Sequence, residues 1–306
     1  MDYVLRTYGL TKKYKKQLAV DNAEMTISRG DIYGFVGENG SGKTTIIRLI
    51  TGLIFPHSGG FELFGIPHDS KDIAIARRKV GAVVETPSIY RNMSACDNLQ
   101  MQCTVLGLPA DDRIARTLEL VGLGDLLTDK KHAGNFSLGM RQRLGIAMAL
   151  LGEPEFLILD EPMNGLDPAG IVDVRELILK LNREQGITFL ISSHILTELS
   201  LVATKYGIIS RGHIVKEITA EQLQTELAKT TDITADRPDL LAEVLGGLVP
   251  KSAISYIPDG VCVKGEVDLN TVLAAVLDAG IRIRSINCHE SSFEEYYLET
   301  IGGKRV

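Results

Sequence analysis

The stretch Gly37-Glu38-Asn39-Gly40-Ser41-Gly42-Lys43-Thr44-Thr45 fits the phosphate-loop pattern G-x-x-x-x-G-K-S/T, in which a glycine-rich loop joins a strand to a helix. The apolar run from Asp31 to Val36 before it is typical of a buried strand, and a helix is expected from Lys43 to Leu53. In such a loop, backbone N–H groups surround the phosphates, the lysine reaches the β- and γ-oxygens, and the next hydroxyl is offered to Mg²⁺. The stretch therefore predicts a triphosphate site, the alternative being a glycine-rich turn without a ligand.

Two further apolar runs end in polar side chains that suit the same site. Phe156–Leu159 is followed by Asp160 and Glu161, and Ile187–Ile191 is followed closely by His194. Because ligands bind at the carboxyl ends of parallel strands, we expect the strand of Asp160 to lie beside the phosphate-loop strand. Asp160 is then a predicted Mg²⁺ ligand, and Glu161 the predicted acceptor of a proton from an attacking water. The alternatives are a strand that meets solvent at two acids and a histidine with a structural role.

The chain around these runs predicts an α/β fold with two additions to its core. Residues 2 to 8 and 17 to 27 alternate as two strands, joined by a lysine-rich turn that contains Tyr14. Tyr14 could stack on a purine base or be an ordinary loop aromatic. Three segments then show helical periodicity, and they predict a helical insert of approximately residues 90–152 within a mostly parallel sheet. These segments are 95–106, 111–121 and 137–151.

The tail of the chain has a different pattern from about Glu221 onwards. Short helical and strand segments alternate there without a catalytic group of residues, which predicts a small α+β domain with a docking, dimerising or regulatory role. We therefore expect a P-loop ATPase core domain over residues 1–220, with an N-terminal antiparallel β subdomain and the helical insert. A small accessory domain is expected over residues 221–306.

Composition narrows the class of protein. The chain has 306 residues, 44% hydrophobic and 24% charged, which is enough for a large domain and a smaller one. No apolar run approaches the roughly 18 residues that a membrane span needs, and the N-terminus lacks the apolar core of a signal peptide, so a cytoplasmic protein is expected. The four scattered cysteines fit reduced thiols. A net charge of −6 argues against a nucleic-acid partner.

The segment Phe136-Ser137-Leu138-Gly139-Met140-Arg141-Gln142-Arg143 adds a family resemblance. With it, residues 3 to about 220 resemble an ATP-binding subunit of the ABC transporter family. The family's hallmark is Leu-Ser-Gly-Gly-Gln followed by Gln-Gln-Arg, and Ser137, Gly139, Gln142 and Arg143 match it. Phe136, Leu138 and Met140 depart from it.

The resemblance implies a homodimeric ATPase that binds ATP and Mg²⁺. Ser137 and the backbone at Gly139 would cap the γ-phosphate of an ATP held by the phosphate loop of a second copy. The resemblance implies that the dimer attaches to separate transmembrane permease subunits on the inner face of the cell membrane. It implies catalytic roles for Lys43, Glu161 and His194. The implied nucleotide contacts are Tyr14, residues 37–45, Ser137, Gly139 and Asp167, and the implied metal ligands are Thr44, Glu85 and Asp160.

Glu85 stands where the family usually has glutamine. The chain resembles the branch that exports, or protects its host against, bacitracin and lantibiotics. The resemblance lies in this substitution, in the residues of the hallmark and in the tail from Ser292 to Leu298. The glutamate adds a charge at the expected junction with the membrane subunit, and the alternative is neutral drift at a tolerant site. For the whole chain, the alternative function is a soluble ABC-family ATPase that remodels a ribosome or a nucleic-acid complex. A kinase or GTPase on the same loop would have no use for Ser137.

Overall fold

A computed structural model describes residues 3–15, 17–227, 229–265, 267–290 and 292–302. Asp2 and Lys16, which the sequence analysis assigned to the first strand and to the turn after it, lie outside the described residues. The chain divides into two compact units, residues 1–220 and residues 221–306. Among the described helices, none combines the length and apolar character needed to cross a bilayer.

The first unit contains two sheets and a set of helices. Its strands are β1 (Tyr3–Tyr14), β2 (Gln17–Ala23), β3 (Thr26–Ser28), β4 (Ile32–Val36), β5 (Ser58–Leu63), β6 (Ile66–Pro67), β7 (Val80–Val83), β8 (Phe156–Asp160), β9 (Thr188–Ser193), β10 (Lys205–Ser210) and β11 (His213–Thr219). Its helices are α1 (Lys43–Ile50), α2 (Ile73–Arg77), α3 (Ala95–Leu106), α4 (Arg113–Leu120), α5 (Leu138–Leu150), α6 (Pro168–Gln185) and α7 (Leu196–Ser200), with 3₁₀ turns at Gly124–Leu127 and Ala133–Asn135.

The core sheet carries the strand ends on which the site is built. Its order is β11-β10-β4-β9-β8-β7, and all neighbours are parallel except β10 and β11. Every residue of β4, β8 and β9 is buried, as their continuous apolar runs predict. The expected pairing of the phosphate-loop strand with the strand of Asp160 is wrong, because β9 lies between them. Apolar runs identify buried strands, but the crossover connections decide their lateral order.

The strands of the antiparallel sheet differ from the predicted N-terminal strands. β1 is longer than expected and continues through Lys12 and Lys13, so Tyr14 ends a strand instead of lying in a turn. The second predicted strand is two strands, because β2 and β3 pair with opposite halves of β1. The Thr7 hydroxyl bridges the interruption by donating to the Ala23 carbonyl and accepting from Met25 N–H, both at 2.9 Å.

Glu217 connects the two sheets and accepts a hydrogen bond from a buried tyrosine. Tyr33 of β4 is fully buried, and its hydroxyl donates to Glu217 Oε1 at 2.9 Å. The same carboxylate oxygen accepts from Thr26 N–H at 3.2 Å and lies 3.1 Å from Lys205 Nζ, so it joins β3 to β10 and β11. Burial, together with the charge of Glu217, raises the pKa of Tyr33 well above its usual value of 10.0. The tyrosine therefore stays protonated and donates.

The second unit has the β-α-β-β-α-β connectivity of ferredoxin-like folds. Its elements are α8 (Ala220–Glu226), β12 (Lys229–Ala235), α9 (Pro238–Leu245), β13 (Ile254–Ile257), β14 (Gly260–Lys264), α10 (Leu269–Asp278), β15 (Ile283–Glu290) and α11 (Phe293–Thr300), with a 3₁₀ turn at Lys251–Ala253. The sheet order is β13-β14-β12-β15, all antiparallel. The sequence analysis missed the central strand β12, because its buried Thr230 and Thr231 interrupt the apolar pattern. The hydroxyl pair of Thr234 and Ser285, 2.8 Å apart, shows how polar β-branched residues are accommodated.

Gly207 of β10 provides a test of the packing around Tyr33. A Cβ atom at Gly207 would lie 2.0 Å from the Tyr33 hydroxyl oxygen, so we expect Gly207→Ala to lower the free energy of unfolding by about 1 to 3 kcal/mol or more through overpacking. Urea unfolding of the full chain measures the change. Gly152→Ala is the matched control, because a Cβ there meets no atom within 4 Å, and it should shift the value by less than about 0.5 kcal/mol. Equal changes in the free energy of unfolding for the two variants would contradict the close packing of Gly207 against Tyr33.

Candidate functional site

The loop between β4 and α1 leaves the start of the helix open. Gly42 occupies the N-cap position with φ 114°, and no side chain of the described residues caps the helix. The first N–H groups of α1 are therefore available to an anion. Glycine is required at two points by close contacts: a Cβ at Gly37 would lie 2.5 Å from Ser41 Oγ, and a Cβ at Gly42 would lie 2.6 Å from the Ala19 carbonyl oxygen.

Lys43 is buried at the start of α1, with 5% of its surface exposed. Its ammonium donates to the carbonyls of Gly37 at 2.6 Å and Glu38 at 3.2 Å, and its Nζ lies 3.5 Å from Glu161 Oε1. Burial lowers the pKa of Lys43, while the charges of Glu161 and Asp160 oppose that shift. The loop thus holds a cation under its own carbonyl groups, next to the open helix end.

Asp160 is held in place by a serine of the neighbouring strand. It ends β8 with 2% of its surface exposed, and its Oδ1 accepts from the Ser192 hydroxyl at 2.5 Å. Ser192 lies directly opposite on β9, and its Oγ also accepts from Glu161 N–H at 2.9 Å. The sequence analysis gave Ser192 no role. The available signal was a polar residue that directly follows the apolar run ending at Ile191.

Glu161 brings the strand ends together. One carboxylate oxygen faces Lys43, and the other forms a hydrogen bond with His194 Nδ1. The backbone of Glu161 has φ 52°, in the left-handed region that non-glycine residues seldom occupy. Such conformations persist where surrounding contacts hold them, and here Ser192 and the two side-chain partners do so. The predicted catalytic residues Lys43, Glu161 and His194 therefore form one contiguous group.

The residues around this group fit a magnesium nucleotide. The hydroxyl of Ser41 is buried and has no hydrogen-bond partner in the described part of the chain, and Thr44 and Thr45 lie half-buried in the first turn of α1. Within the same residues, no group of three or more His, Cys, Asp or Glu side chains could hold a metal ion. One carboxylate such as Asp160, a hydroxyl such as that of Thr44, water and phosphate oxygens are the ligands that Mg²⁺ takes beside a bound nucleotide.

Tyr14 and Glu85 lie outside this contiguous group. Tyr14 is 43% exposed at the end of β1, with Lys12 Nζ 5.5 Å from its ring centroid. Glu85 follows β7 with φ 60°, and its carboxylate is paired with the guanidinium of Arg48 on α1. The sequence analysis did not find Arg48, which occupies an ordinary helical position.

The hallmark residues form a second group at two helix starts. Ser137 caps α5 by accepting from Met140 N–H at 3.1 Å, and Asp167 caps α6 by accepting from Gly170 N–H at 3.1 Å. The two starts are adjacent, since a Cβ at Gly139 would lie 3.7 Å from the Gly170 Cα. That is an ordinary contact, and Gly139 does not have a positive φ. Packing within the chain therefore does not require glycine at residue 139.

Comparison with known proteins identifies the family. The model of the family described as "ABC transporter" matches residues 20–164. The bacitracin transport ATP-binding protein BcrA of Bacillus licheniformis is 39% identical, and the alignment covers 100% of both chains. The lantibiotic transport ATP-binding protein SrtF of Streptococcus pyogenes is 42% identical over 70% of this chain and 90% of its own.

Solved structures show the same fold. The structure of cbiO1 from Clostridium perfringens, described as part of the ABC transporter complex cbiONQ, has a TM-score of 0.67 and 28% identity over 74% of this chain and 92% of its own. The dimeric ATP-binding cassette MJ0796, bound to ADP and Pi, has a TM-score of 0.63 and 23% identity over 71% of this chain and 98% of its own. The full-length match to a bacterial relative, the family model and the shared fold agree, and this chain belongs to the ATP-binding proteins of the ABC transporter family.

Proposed function

We propose that the chain is the ATP-hydrolysing subunit of a transporter, that it dimerises around two ATP molecules, and that it drives separate membrane-spanning subunits that export a peptide antibiotic of the bacitracin or lantibiotic type. The observation that carries the proposal is the contiguous group of Lys43, Glu161 and His194 beside the open start of α1. A buried cation beside a phosphate loop and a carboxylate that can orient an attacking water suit phosphoryl transfer to water.

Residues of the loop would bind the nucleotide. The backbone N–H groups of residues 37–45 would surround the phosphates, and Lys43 would exchange its loop carbonyls for the β- and γ-oxygens. Tyr14 is exposed at the end of β1 and would stack on adenine. Thr44 and Asp160 would hold Mg²⁺, with Glu85 as a further predicted ligand. The ion would neutralise charge on the transferred phosphoryl group.

Glu161 would act as the general base. Its carboxylate lies between Lys43 and His194, and it is 19% exposed, so a water molecule can reach it. Ser192 holds its backbone, which fixes the direction of the side chain. His194 would orient the carboxylate through Nδ1 and contact the γ-phosphate with its other edge. A positioned base of this kind contributes about 10² to 10⁴ in rate.

The second group of residues would complete the site of another copy. Ser137, Gly139 and Asp167 lie at two adjacent helix starts, where N–H groups favour anions. No contact among the described residues requires Gly139 to be glycine, which supports a role in close approach to a ligand or a partner. Closing an open pair from 1:99 to 99:1 needs about 5.5 kcal/mol. A few charge-assisted hydrogen bonds of roughly 1.5 to 3 kcal/mol each supply that.

The relatives support the proposed cargo and the proposed location of the chain in the cell. The bacitracin relative aligns over the whole chain, including the second unit, whereas the lantibiotic relative aligns over 70% of it. We propose that the chain lies on the cytoplasmic face of the cell membrane beside its permease, and that residues 221–306 form an accessory unit that regulates the dimer. A soluble remodelling ATPase is the weaker candidate, because full-length relatives are named as transport proteins.

Lys43→Ala should abolish nucleotide affinity, because it removes the buried cation of the loop. Titration with a fluorescent ATP analogue measures the dissociation constant. Lys180→Ala, which alters a lysine outside the site, is the control and should bind as the parent does. Unchanged affinity in Lys43→Ala would refute the phosphate-loop assignment.

Glu161→Gln should retain ATP binding and lose turnover by about 10² to 10⁴, since the amide cannot accept the proton. It should also trap the ATP-bound dimer, which gel filtration in ATP would resolve from the monomer. Exposed Glu119→Gln is the matched control and should hydrolyse ATP normally. A variant that elutes only as monomer in ATP would count against the proposed dimer.

Truncation after Ala220 should leave ATP affinity intact, because the first unit is compact by itself. We expect a changed lifetime of the ATP-bound dimer, measured by subunit exchange between labelled proteins. Loss of ATP binding in the truncated chain would show that the second unit is needed for the nucleotide site.

A further inference from the structure

Helix α1 supplies a cation to glutamates at the ends of two neighbouring strands. Lys43, at its start, faces Glu161 after β8, and Arg48, near its end, is paired with Glu85 after β7. Both glutamates have positive φ angles, 52° and 60°. Backbone conformations of this kind are held by surrounding contacts and are frequent at functional sites. The pair at Glu161 belongs to the proposed catalytic group, and the pair at Glu85 has no assigned role.

The segment after Glu85 packs against α5. Two residues further on, Pro87 packs on Gly145, where a Cβ would lie 2.5 Å from Pro87 Cβ and 2.9 Å from its Cγ. Only glycine leaves room for the proline there. A cleft of about 140 Å³ adjoins this contact, lined by residues that include Val84, Pro87, Gly145 and Met148. The contact therefore depends on glycine at residue 145.

The contact lies on the helix that begins with the hallmark. Gly145 and Ser137 are eight residues apart in sequence, which corresponds to about 12 Å along a helix. Because a helix moves as a rigid element, a displacement at Gly145 is transmitted to the cap at Ser137. A path thus runs from α1 through the Arg48–Glu85 ion pair and the segment to Pro87 to the middle of α5, eight residues after Ser137.

We propose that Arg48 is a positioning residue whose ion pair with Glu85 sets the orientation of α5, and with it Ser137, relative to the phosphate loop. The proposal rests on the function proposed above, since Ser137 acts there on ATP bound by a second copy. A glutamate at residue 85 can form an ion pair that a glutamine cannot, and Arg48 is its partner. The pair therefore accounts for the carboxylate at residue 85 as part of the connection between the two helices.

Because the Arg48–Glu85 ion pair is exposed, an experiment can distinguish a positioning role from a structural one. The side chains of Arg48 and Glu85 are 39% and 55% exposed, and exposed pairs add little to the free energy of unfolding. Loss of Arg48 should therefore change the ATP-dependent association of two copies while leaving stability nearly unchanged. If the pair had only a structural role, loss of Arg48 would lower the stability and leave the ATP-dependent association of two copies nearly unchanged.

The experiment uses the full chain carrying Glu161→Gln, in which the ATP-bound dimer accumulates. Adding Arg48→Gln should raise the dimer dissociation constant, measured by sedimentation in ATP and Mg²⁺, by about 3- to 30-fold. The affinity of the monomer for ATP should change less than about threefold, because Lys43 and the loop are untouched. Amide hydrogens of residues 84–89 should exchange faster. Arg48→Lys keeps the charge and should restore the constant to within about threefold of the parent.

Three further variants sharpen the comparison. Arg29→Gln removes an ion pair of similar exposure with Glu155, next to the other end of β8, and should leave the dimer constant unchanged. The single Glu85→Gln variant measures any effect of that side chain on Mg²⁺, and adding it to Arg48→Gln should cause no loss through the pair beyond that effect, since contacting residues are not additive. A double variant that loses the sum of both effects would show that the two residues act separately.

The outcomes distinguish this proposal from the one on which it rests. If the Glu161→Gln parent forms no ATP-dependent dimer, the proposed function fails. If the parent dimerises and Arg48→Gln leaves both the dimer constant and the exchange of residues 84–89 unchanged, only the role of Arg48 is wrong. A lower unfolding midpoint with weaker ATP binding by the monomer would show a structural role and would also overturn the proposal.

Discussion

The site depends on a buried ammonium. Lys43 is almost completely removed from water, and burying an unpaired charge is costly, so its position requires partners on several elements at once. The carbonyls of Gly37 and Glu38 and the carboxylate of Glu161 provide them. This constraint connects the loop after β4 to the residue after β8. It also places a cation beside the open start of α1, where we propose that the phosphates of a nucleotide bind.

The strand between β4 and β8 makes that connection possible. β9 separates the two, and its Ser192 holds both the side chain of Asp160 and the backbone of Glu161. The same strand leads to His194, which meets the other carboxylate oxygen of Glu161. The ends of β8 and β9 are therefore joined by hydrogen bonds from β9, and the Lys43–Glu161 ion pair adds the loop after β4. The geometry of the acids follows from the position of β9 and not from the acids alone.

The hallmark and the phosphate loop are separate groups in one copy of the chain. Ser137 and Asp167 cap adjacent helices, and their exposed surroundings suit contact with another molecule. Arg48 and Glu85 offer a route between the groups, because Pro87 carries the connection to α5. The second unit has its own sheet and core and belongs to the part of the chain shared over the full length with the bacitracin relative.

The sequence by itself determined the phosphate loop, the buried strands that lead to Asp160, Glu161 and His194, and the helical segment that begins near Ser137, because each depends on local spacing and polarity. The tertiary structure decided the rest. It placed β9 between β4 and β8, and it gave Ser192 and Arg48 their partners. It also showed the strand β12, whose buried threonines interrupt the apolar pattern by which a buried strand is predicted. Strand order and ion pairs between distant segments depend on how the chain crosses over and packs. No local pattern encodes contacts between residues 37 positions apart, such as Arg48 and Glu85.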